Sequence, residues 1–228
     1  MTFNQIKMAI YATFLTNYYG VKLKLAPTLQ AKKVLRIAYA KTLLGKLNIQ
    51  VTIKNAQKLP HEGPILLACN HRSILDPLVV ELLMENIPVY GDWISKKELY
   101  NSFFFGLFVR NGGSVLIDRD SNQMSNFFAD IKESVKEGAS IYIFPEGTRN
   151  KSEKALGEFL GGAQLIAVKN RLPIVPVFIR TNVNEVLKSA LQNPNKSYTI
   201  EVEAGDVMDY KDRKESLERR YKATFDLQ

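Results

Sequence analysis

The sequence lacks the residues that stabilise disulfide-rich domains and metal centres. One cysteine occurs in 228 residues, which excludes an internal disulfide framework and fits a reducing compartment. The two histidines, His61 and His71, belong to no His/Cys cluster with the spacing of metal ligands, so no metal site is predicted. The hydrophobic content of 46% is nevertheless enough for one domain with a substantial core.

Long apolar runs are missing near the N-terminus. The longest uncharged stretch there, residues 8–21, includes Thr, Asn and Gly. A helix that crosses a bilayer needs about 20 apolar residues, so we expect this segment to lie in the membrane interface instead of spanning it. No small-residue cleavage site follows a compact apolar core, and no signal peptide is predicted.

Acidic residues are absent from the first 60 positions. Residues 1–60 contain ten Lys or Arg and no Asp or Glu, which leaves 21 basic and 23 acidic residues in the remainder. The net charge of +8 therefore originates in the N-terminal quarter. Such asymmetry is typical of proteins that bind an anionic membrane surface or a nucleic acid.

Apolar and aromatic residues are interleaved with this charge at near-helical spacing, namely Ile6, Ile10, Phe14 and Tyr18. We therefore predict that residues 1–47 form an amphipathic two-helix membrane-binding segment, peripheral or monotopic on the cytoplasmic face of a membrane. Packing of both helices on the domain with a solvated basic face is the alternative. No nucleic-acid partner is expected, because no polar basic stripe or nucleic-acid module is present.

Periodicity and turn residues predict alternating strands and helices after residue 48. The predicted helices are 4–18, 29–46, 77–85, 97–100, 122–136, 160–169 and 211–223, and the predicted strands are 49–54, 65–69, 88–94, 114–117, 140–144, 173–179 and 198–204. The fold class is α/β, with a mostly parallel or mixed central sheet flanked by helices over residues 48–228. The prolines of 172–179 favour an edge strand or a bulge there.

His71 follows an apolar strand and precedes Asp76 by five residues. A chain reversal at Arg72-Ser73 would bring the carboxylate to one ring nitrogen and leave the other as a general base. Asp76 before Pro77 also fits a helix N-cap, which is the alternative for that residue. Cys69 and His71 would share a face if extended, permitting a Cys–His acyl-enzyme, although a buried cysteine is the more common role.

Residues 144–149 read Phe-Pro-Glu-Gly-Thr-Arg and follow another predicted strand. Gly147 allows backbone N–H groups to approach a ligand closely, and Arg149 offers a planar fork for phosphate oxygens. Thr148 adds a hydroxyl. Glu146 either accepts from a substrate hydroxyl or pairs with Arg149 to frame the turn.

Four segments of the chain together resemble, in order and spacing, the glycerolipid acyltransferases typified by lysophosphatidic acid acyltransferase. They are 70–76, then 95–99 with 113–119, then 144–150, and finally 175–177. The resemblance covers about residues 30–205. Two departures are an Asn at position 150, where the family usually has Ser, and Leu160-Gly161, where a basic residue commonly precedes Gly-Ala.

The resemblance implies an enzyme that needs no cofactor and has a glycerol-3-phosphate acyltransferase-like fold. It would move a fatty acyl group from acyl-CoA or acyl-carrier protein to the lysophospholipid acceptor 1-acylglycerol 3-phosphate, giving phosphatidic acid. His71 would be the general base, oriented by Asp76. The substrate-binding residues would be Lys96, Arg119, Glu146, Gly147, Thr148 and Arg149.

Several alternatives stay open from the sequence. The acceptor could be another lysophospholipid or a lyso-aminolipid, or the chain could be a non-catalytic membrane-surface binding protein. Lys96 could be an exposed helix-start residue, and Arg119 could pair with Asp118 or Asp120. Phe103 and Phe104 could line an acyl groove, contact a membrane or pack in the core.

Overall fold

The structure is a computed structural model that describes residues 3–118 and 124–227. Its helices are α1 (Phe3–Leu25), α2 (Leu29–Lys46), α3 (Asp76–Leu83), α4 (Lys97–Tyr100), α5 (Gly106–Asn111), α6 (Met124–Lys136), α7 (Gly162–Asn170), α8 (Val183–Gln192) and α9 (Leu217–Thr224), with a 3₁₀ turn at Ala56–Lys58. Its strands are β1 (Ile49–Lys54), β2 (Leu66–Cys69), β3 (Gly91–Lys96), β4 (Ser114–Ile117), β5 (Ser140–Ile143), β6 (Ile174–Ile179) and β7 (Tyr198–Ala204).

The strands form one sheet in the order β1-β7-β6-β2-β5-β3-β4. Neighbouring strands are parallel except β6 and β7, which are antiparallel. Strands β2, β5 and β6 are buried along their whole length, as expected for parallel strands that helices cover on both faces. The predicted α/β class with a mostly parallel or mixed sheet is confirmed.

Two hydrophobic clusters lie on opposite faces of the sheet. Leu67 and Cys69 of β2 belong to one cluster, with residues of α2 and α3, and Leu66 and Ala68 belong to the other, with residues of α6 and α7. Side chains alternate between the two faces of a strand. The loops at the strand ends are therefore left to form the site.

The predicted edge position of the proline-containing strand is wrong. β6 lies between β2 and β7 in the sheet. The antiparallel register shifts by one residue between the pairs Val177↔Ala204 and Ile174↔Met208, so the partner segment carries an extra residue opposite Pro176. The missing N–H of Pro176 falls at this bulge, which is how an inner strand accommodates proline.

Other boundaries also differ from the sequence prediction. α1 continues to Leu25, β3 begins at Gly91, and α9 begins after Ser216, whose hydroxyl accepts from the Arg219 N–H. The helices α5 and α8 were not predicted. α8 has a recognisable start, because the Asn182 side chain accepts from the Glu185 N–H.

The two N-terminal helices pack on the same protein core. The inward face of α2 shares a cluster with the strands through Tyr39, Ala40, Leu43, Leu44 and Leu47. The outer face of α1 exposes a stripe of apolar side chains, namely Ile6, Ile10, Phe14, Tyr18, Val21 and Leu25. No helix within 3–118 or 124–227 is long and apolar enough to cross a membrane. The domain division at residue 47 stays a prediction.

Candidate active site

His71 and Asp76 are in direct contact. His71 Nδ1 lies 2.8 Å from Asp76 Oδ2, and the same oxygen accepts from the Arg72 and Ser73 N–H groups at 2.6 Å each. The carboxylate thus holds the chain reversal that the sequence predicted at Arg72-Ser73. The N-cap of α3 is Leu75, with no side-chain hydrogen bond. Asp76 is the first helical residue and bonds the preceding turn, so its N-cap assignment is wrong.

The geometry leaves one imidazole nitrogen available. Asp76 is 1% exposed, and His71 is half-buried. No residue in the described part of the chain forms a hydrogen bond with His71 Nε2. A neutral imidazole that donates through Nδ1 presents Nε2 as an acceptor, which is the arrangement that a general base requires.

Asn70 fixes the strand end from which His71 projects. Its buried amide donates to the Ile179 carbonyl at 3.1 Å and accepts from the Ile179 N–H at 2.7 Å. The carboxyl ends of β2 and β6 are therefore tied together beside the imidazole. Sequence reasoning gave Asn70 no role, although an amide directly after a buried strand is a signal that could have identified it.

The Glu146 carboxylate joins the third segment to the first. Oε1 accepts from the His71 N–H at 2.7 Å, and Oε2 accepts from the Gly157 N–H at 2.9 Å. In return, the Asn150 N–H donates to the His71 carbonyl at 2.7 Å. Burial raises the pKa of Glu146 to about 7, and the two N–H donors partly oppose that rise. Glu146 therefore braces backbone near the imidazole, and its predicted substrate contact stays a prediction.

Thr148 and Arg149 are exposed and line an open cleft of about 300 Å³. The lining is formed by Glu146, Thr148, Arg149, Asn150, Lys151, Ser152, Gly157 and Glu158. Gly147 adopts a positive φ of 66°, as the sharp turn requires. Arg149 pairs with no carboxylate of the described residues, so the alternative Glu146–Arg149 ion pair is not formed.

Lys96 and Arg119 are the two further cations predicted to bind phosphate. Lys96 is exposed at the carboxyl end of β3, at the same sheet edge as His71 and Glu146. Its ammonium group makes no ion pair within residues 3–118 and 124–227, whereas Lys97 pairs with Asp118 at 2.9 Å. Arg119 lies outside the described residues. The roles of Lys96 and Arg119 in binding remain predictions.

The geometry disfavours a thiol nucleophile. Cys69 is fully buried, and burial raises the pKa of its thiol well above the ordinary value, which opposes formation of the reactive thiolate. The part of the chain that the structure describes contains no group of His, Cys, Asp or Glu that could hold a metal ion.

An aromatic wall backs the imidazole. The His71 ring stacks on Phe144 with a centroid distance of 4.0 Å and an interplanar angle of 10°. Phe144 in turn stacks on Trp93 at 5.0 Å and 28°. The sequence analysis placed neither aromatic residue in the site.

The elements that carry this site also carry a family signature. A family model described as "Acyltransferase" matches residues 50–180, from β1 to just beyond β6. The chain belongs to the acyltransferase family. The predicted enzyme class is thereby confirmed: this acyltransferase places His71, Asp76 and Glu146 within the matched region.

Curated relatives of this acyltransferase carry closely related names. A Mycoplasma pneumoniae protein named "Probable 1-acyl-sn-glycerol-3-phosphate acyltransferase" is 29% identical over 195 residues, covering 82% of this chain and 71% of the relative. The human 1-acyl-sn-glycerol-3-phosphate acyltransferase beta is 35% identical over 131 residues, covering 57% and 46% respectively. The chain thus spans less than half of the human relative.

A solved structure has the same fold as this acyltransferase. The crystal structure of the 1-acyl-sn-glycerophosphate (LPA) acyltransferase PlsC from Thermotoga maritima matches with a TM-score of 0.70. The match covers 98% of this chain and 89% of the other, at 20% sequence identity. At this identity the likeness establishes the fold, including the two N-terminal helices.

Proposed function

We propose that this acyltransferase moves a fatty acyl group from acyl-CoA or acyl-carrier protein to the free hydroxyl of 1-acylglycerol 3-phosphate, producing phosphatidic acid. The observation that carries the proposal is the 2.8 Å His71–Asp76 contact at the same sheet edge as Arg149, which pairs with no carboxylate of residues 3–118 and 124–227. The names of the relatives support this choice of acceptor.

In the proposed reaction, His71 Nε2 removes the proton of the acceptor hydroxyl as its oxygen attacks the thioester carbonyl. The C–S bond of the resulting tetrahedral intermediate then breaks, and the imidazolium returns the proton to the leaving thiolate. Asp76 stabilises the imidazolium through Nδ1–H. Base catalysis of this kind contributes about 10²–10⁴-fold to the rate.

The cleft chemistry favours a phosphorylated acceptor. The Arg149 guanidinium can bind two phosphate oxygens at once, and the Thr148 hydroxyl and Lys151 ammonium line the same cleft. A lyso-aminolipid without phosphate would offer these two cations no phosphate oxygens to bind. Purified protein should be incubated with radiolabelled acyl-CoA or acyl-carrier protein and a panel of lysolipids. Acylation of only a phosphate-free lysolipid would refute the proposed acceptor.

Replacing Arg149 by alanine should raise the KM for the phosphorylated acceptor about tenfold to hundredfold, because charge-assisted hydrogen bonds contribute about 1.5–3 kcal/mol. The KM for the acyl donor should change little. Steady-state kinetics with each substrate varied in turn measures both constants. Arg213→Ala, at an exposed site in the C-terminal region, is the matched control. An equal rise in both KM values would show that Arg149 only supports the fold.

We also propose that the outer face of α1 rests on an anionic membrane surface at the cytoplasmic side. Phe14 and Leu25 are each 76% exposed, and Phe103, in the segment before α5, is 80% exposed. This placement suits the proposed reaction, because the proposed acceptor is an amphiphile held in the membrane. Water-exposed apolar side chains of this kind favour insertion at the acyl boundary.

The electrostatic contribution is smaller than the sequence indicated. Of the ten N-terminal cations, Lys33 and Arg36 are buried, and Lys41, Lys54 and Lys58 pair with carboxylates. Each remaining basic residue near an anionic leaflet contributes about 1 kcal/mol. We therefore expect insertion of the apolar side chains to contribute more of the membrane-binding free energy, and the cations less, than the net charge of +8 alone would indicate.

The double variant Ile10→Ser, Phe14→Ser should bind vesicles at least about tenfold more weakly, because each buried large apolar side chain contributes about 1.5–3 kcal/mol. Flotation with vesicles of phosphatidylcholine and phosphatidylglycerol measures binding. Val207→Ser, exposed outside the N-terminal helices, is the control. Unchanged flotation would refute the apolar contact. Equal binding to pure phosphatidylcholine at low salt would refute the electrostatic part.

The titration of Glu146 should make stability depend on pH. Its pKa rises from the ordinary 4.5 to about 7 on folding, so the folded state binds its proton more tightly than the unfolded state. That contribution is complete below about pH 4.5 and is lost as the pH rises to about 7. Glu146→Gln should lack this loss, which is no more than about 3 kcal/mol. Urea unfolding of both proteins at pH 5 and pH 8 measures the free energy of unfolding. The same change between the two pH values in both proteins would contradict the prediction.

A further inference from the structure

Arg36 is a charged residue buried between α2 and the sheet. It is 2% exposed, and its Nη1 donates to the carbonyl oxygens of Gly91 and Gly112 at 2.8 and 2.9 Å. Its Nη2 lies 3.1 Å from Oε1 of Glu81, which is 3% exposed. Removing two charges from water has a large free-energy cost. The proposed reaction uses neither residue directly, so the pair has another role.

Glu81 connects this buried pair to the aromatic wall behind the imidazole. Glu81 Oε1 accepts a hydrogen bond from Trp93 Nε1 at 2.8 Å. The Trp93 ring stacks on Phe144, and Phe144 stacks on the His71 ring. A continuous line of contacts therefore runs from the carboxylate of Glu81 to the imidazole.

The imidazole needs such support because its bond to Asp76 fixes only one direction. A ring held by its own Cβ and by one hydrogen bond at Nδ1 can still tilt, and tilting moves Nε2. The flat face of Phe144, 4.0 Å away and nearly parallel, removes this freedom. Trp93 in turn stacks on Phe144, and the Nε1–Glu81 bond fixes the orientation of the indole. A misplacement of about 1 Å can lower a rate about 10²-fold.

We propose that Glu81, neutralised by Arg36, is a positioning residue for the His71 imidazole and acts through Trp93 and Phe144. The proposal rests on the proposed function in taking His71 as the general base. It also gives α2 a part in supporting the site, because Arg36 belongs to that helix.

Two double variants separate positioning from folding. Arg36→Met with Glu81→Leu removes both charges and the acceptor for Trp93 Nε1. Arg36→Met with Glu81→Gln removes both charges but keeps a carbonyl acceptor. Neither leaves an unpaired buried charge, so both should fold. We expect the leucine pair to lower kcat about tenfold or more with both KM values nearly unchanged, and the glutamine pair to restore most of kcat.

The chain carries its own spectroscopic probes, because it has one Trp and two His. In the His61→Gln background, the only imidazole NMR signals are those of His71. We expect the leucine pair to shift the Trp93 indole N–H signal, which loses its acceptor, and the His71 ring-proton signals, which change their position over Phe144. The glutamine pair should leave the His71 signals near those of the unmodified protein.

Lys33→Met is the matched control, because it removes another buried cation from α2 whose ammonium group bonds the Ile87 carbonyl. It should leave kcat and the His71 signals unchanged. Wild-type kcat in the leucine pair, unmoved His71 signals, or equal losses in all three variants would each overturn the proposal. An active His71→Ala variant would instead refute the role of His71 as the general base. The His71 NMR signals would still show whether Glu81 positions the imidazole.

Discussion

Replacing His71 by alanine should lower kcat about 10²–10⁴-fold while the protein still folds and still binds vesicles. The imidazole, which Asp76 contacts through Nδ1, is the group that the proposed reaction uses as the general base. Its backbone bonds to Glu146 and Asn150 do not depend on the side chain, so the turn should survive. The measurement is initial-rate acylation of 1-acylglycerol 3-phosphate with radiolabelled donor.

His61→Ala provides the control for that experiment. His61 is exposed in the loop before β2 and forms no hydrogen bond or ion pair with a described residue of the candidate site. Turnover of His71→Ala near that of His61→Ala would refute the base assignment. In cells, a His71→Ala protein that folds but no longer supports the function of the unmodified protein would further distinguish an enzyme from a membrane-surface scaffold.

The contact between segments 70–76 and 144–150 was only partly predictable. Both were expected at the carboxyl ends of strands, because each follows an apolar run. That they meet follows from β2 and β5 being neighbours in the sheet, and the His71 N–H to Glu146 bond joins residues 75 positions apart. Strand order depends on long-range pairing, which local patterns do not encode. The sequence could place both segments at the carboxyl ends of strands, but it could not show that these strands are neighbours.

Buried polar residues were the least predictable part of the site. The sequence analysis counted Arg36 among the cations facing a membrane, whereas the structure buries it against Glu81. Val34, two positions earlier, is instead 57% exposed. A charge can be buried only where partners on other elements satisfy it, and those partners are distant in sequence. The same reason hid the bond between Glu81 and Trp93.

Local signals were sufficient where a side chain bonds its own turn. A reversal at Arg72-Ser73 was predicted as the way to bring the Asp76 carboxylate to the imidazole, and in the structure Oδ2 also accepts from both N–H groups of that turn. The missed helix α8 carried a signal of the same kind in Asn182 and Glu185. Short-range capping patterns therefore deserve the same weight as apolar periodicity in sequences of this family.

Asp76→Asn should lower kcat about 10²-fold with a much smaller effect on either KM, because a neutral amide cannot stabilise the imidazolium by a charge-assisted hydrogen bond. The carboxylate accepts through Oδ2 from His71 Nδ1, and from the Arg72 and Ser73 N–H groups. An asparagine amide that keeps its oxygen at the Oδ2 position retains all three bonds and leaves the proton on Nδ1. Turning the NH₂ toward Nδ1 would instead set it against two backbone N–H donors.

The orientation that keeps these bonds places the NH₂ where Oδ1 now lies, buried and without a hydrogen-bond partner in the described residues. An unsatisfied buried donor costs about 1–3 kcal/mol, so the variant should also be less stable than the unmodified protein. Kinetics, with ¹⁵N NMR of the His71 ring to identify the protonated nitrogen, measures the effect, and Asp206→Asn at an exposed site is the control. A variant with wild-type kcat would show that Asp76 holds the turn without orienting the base.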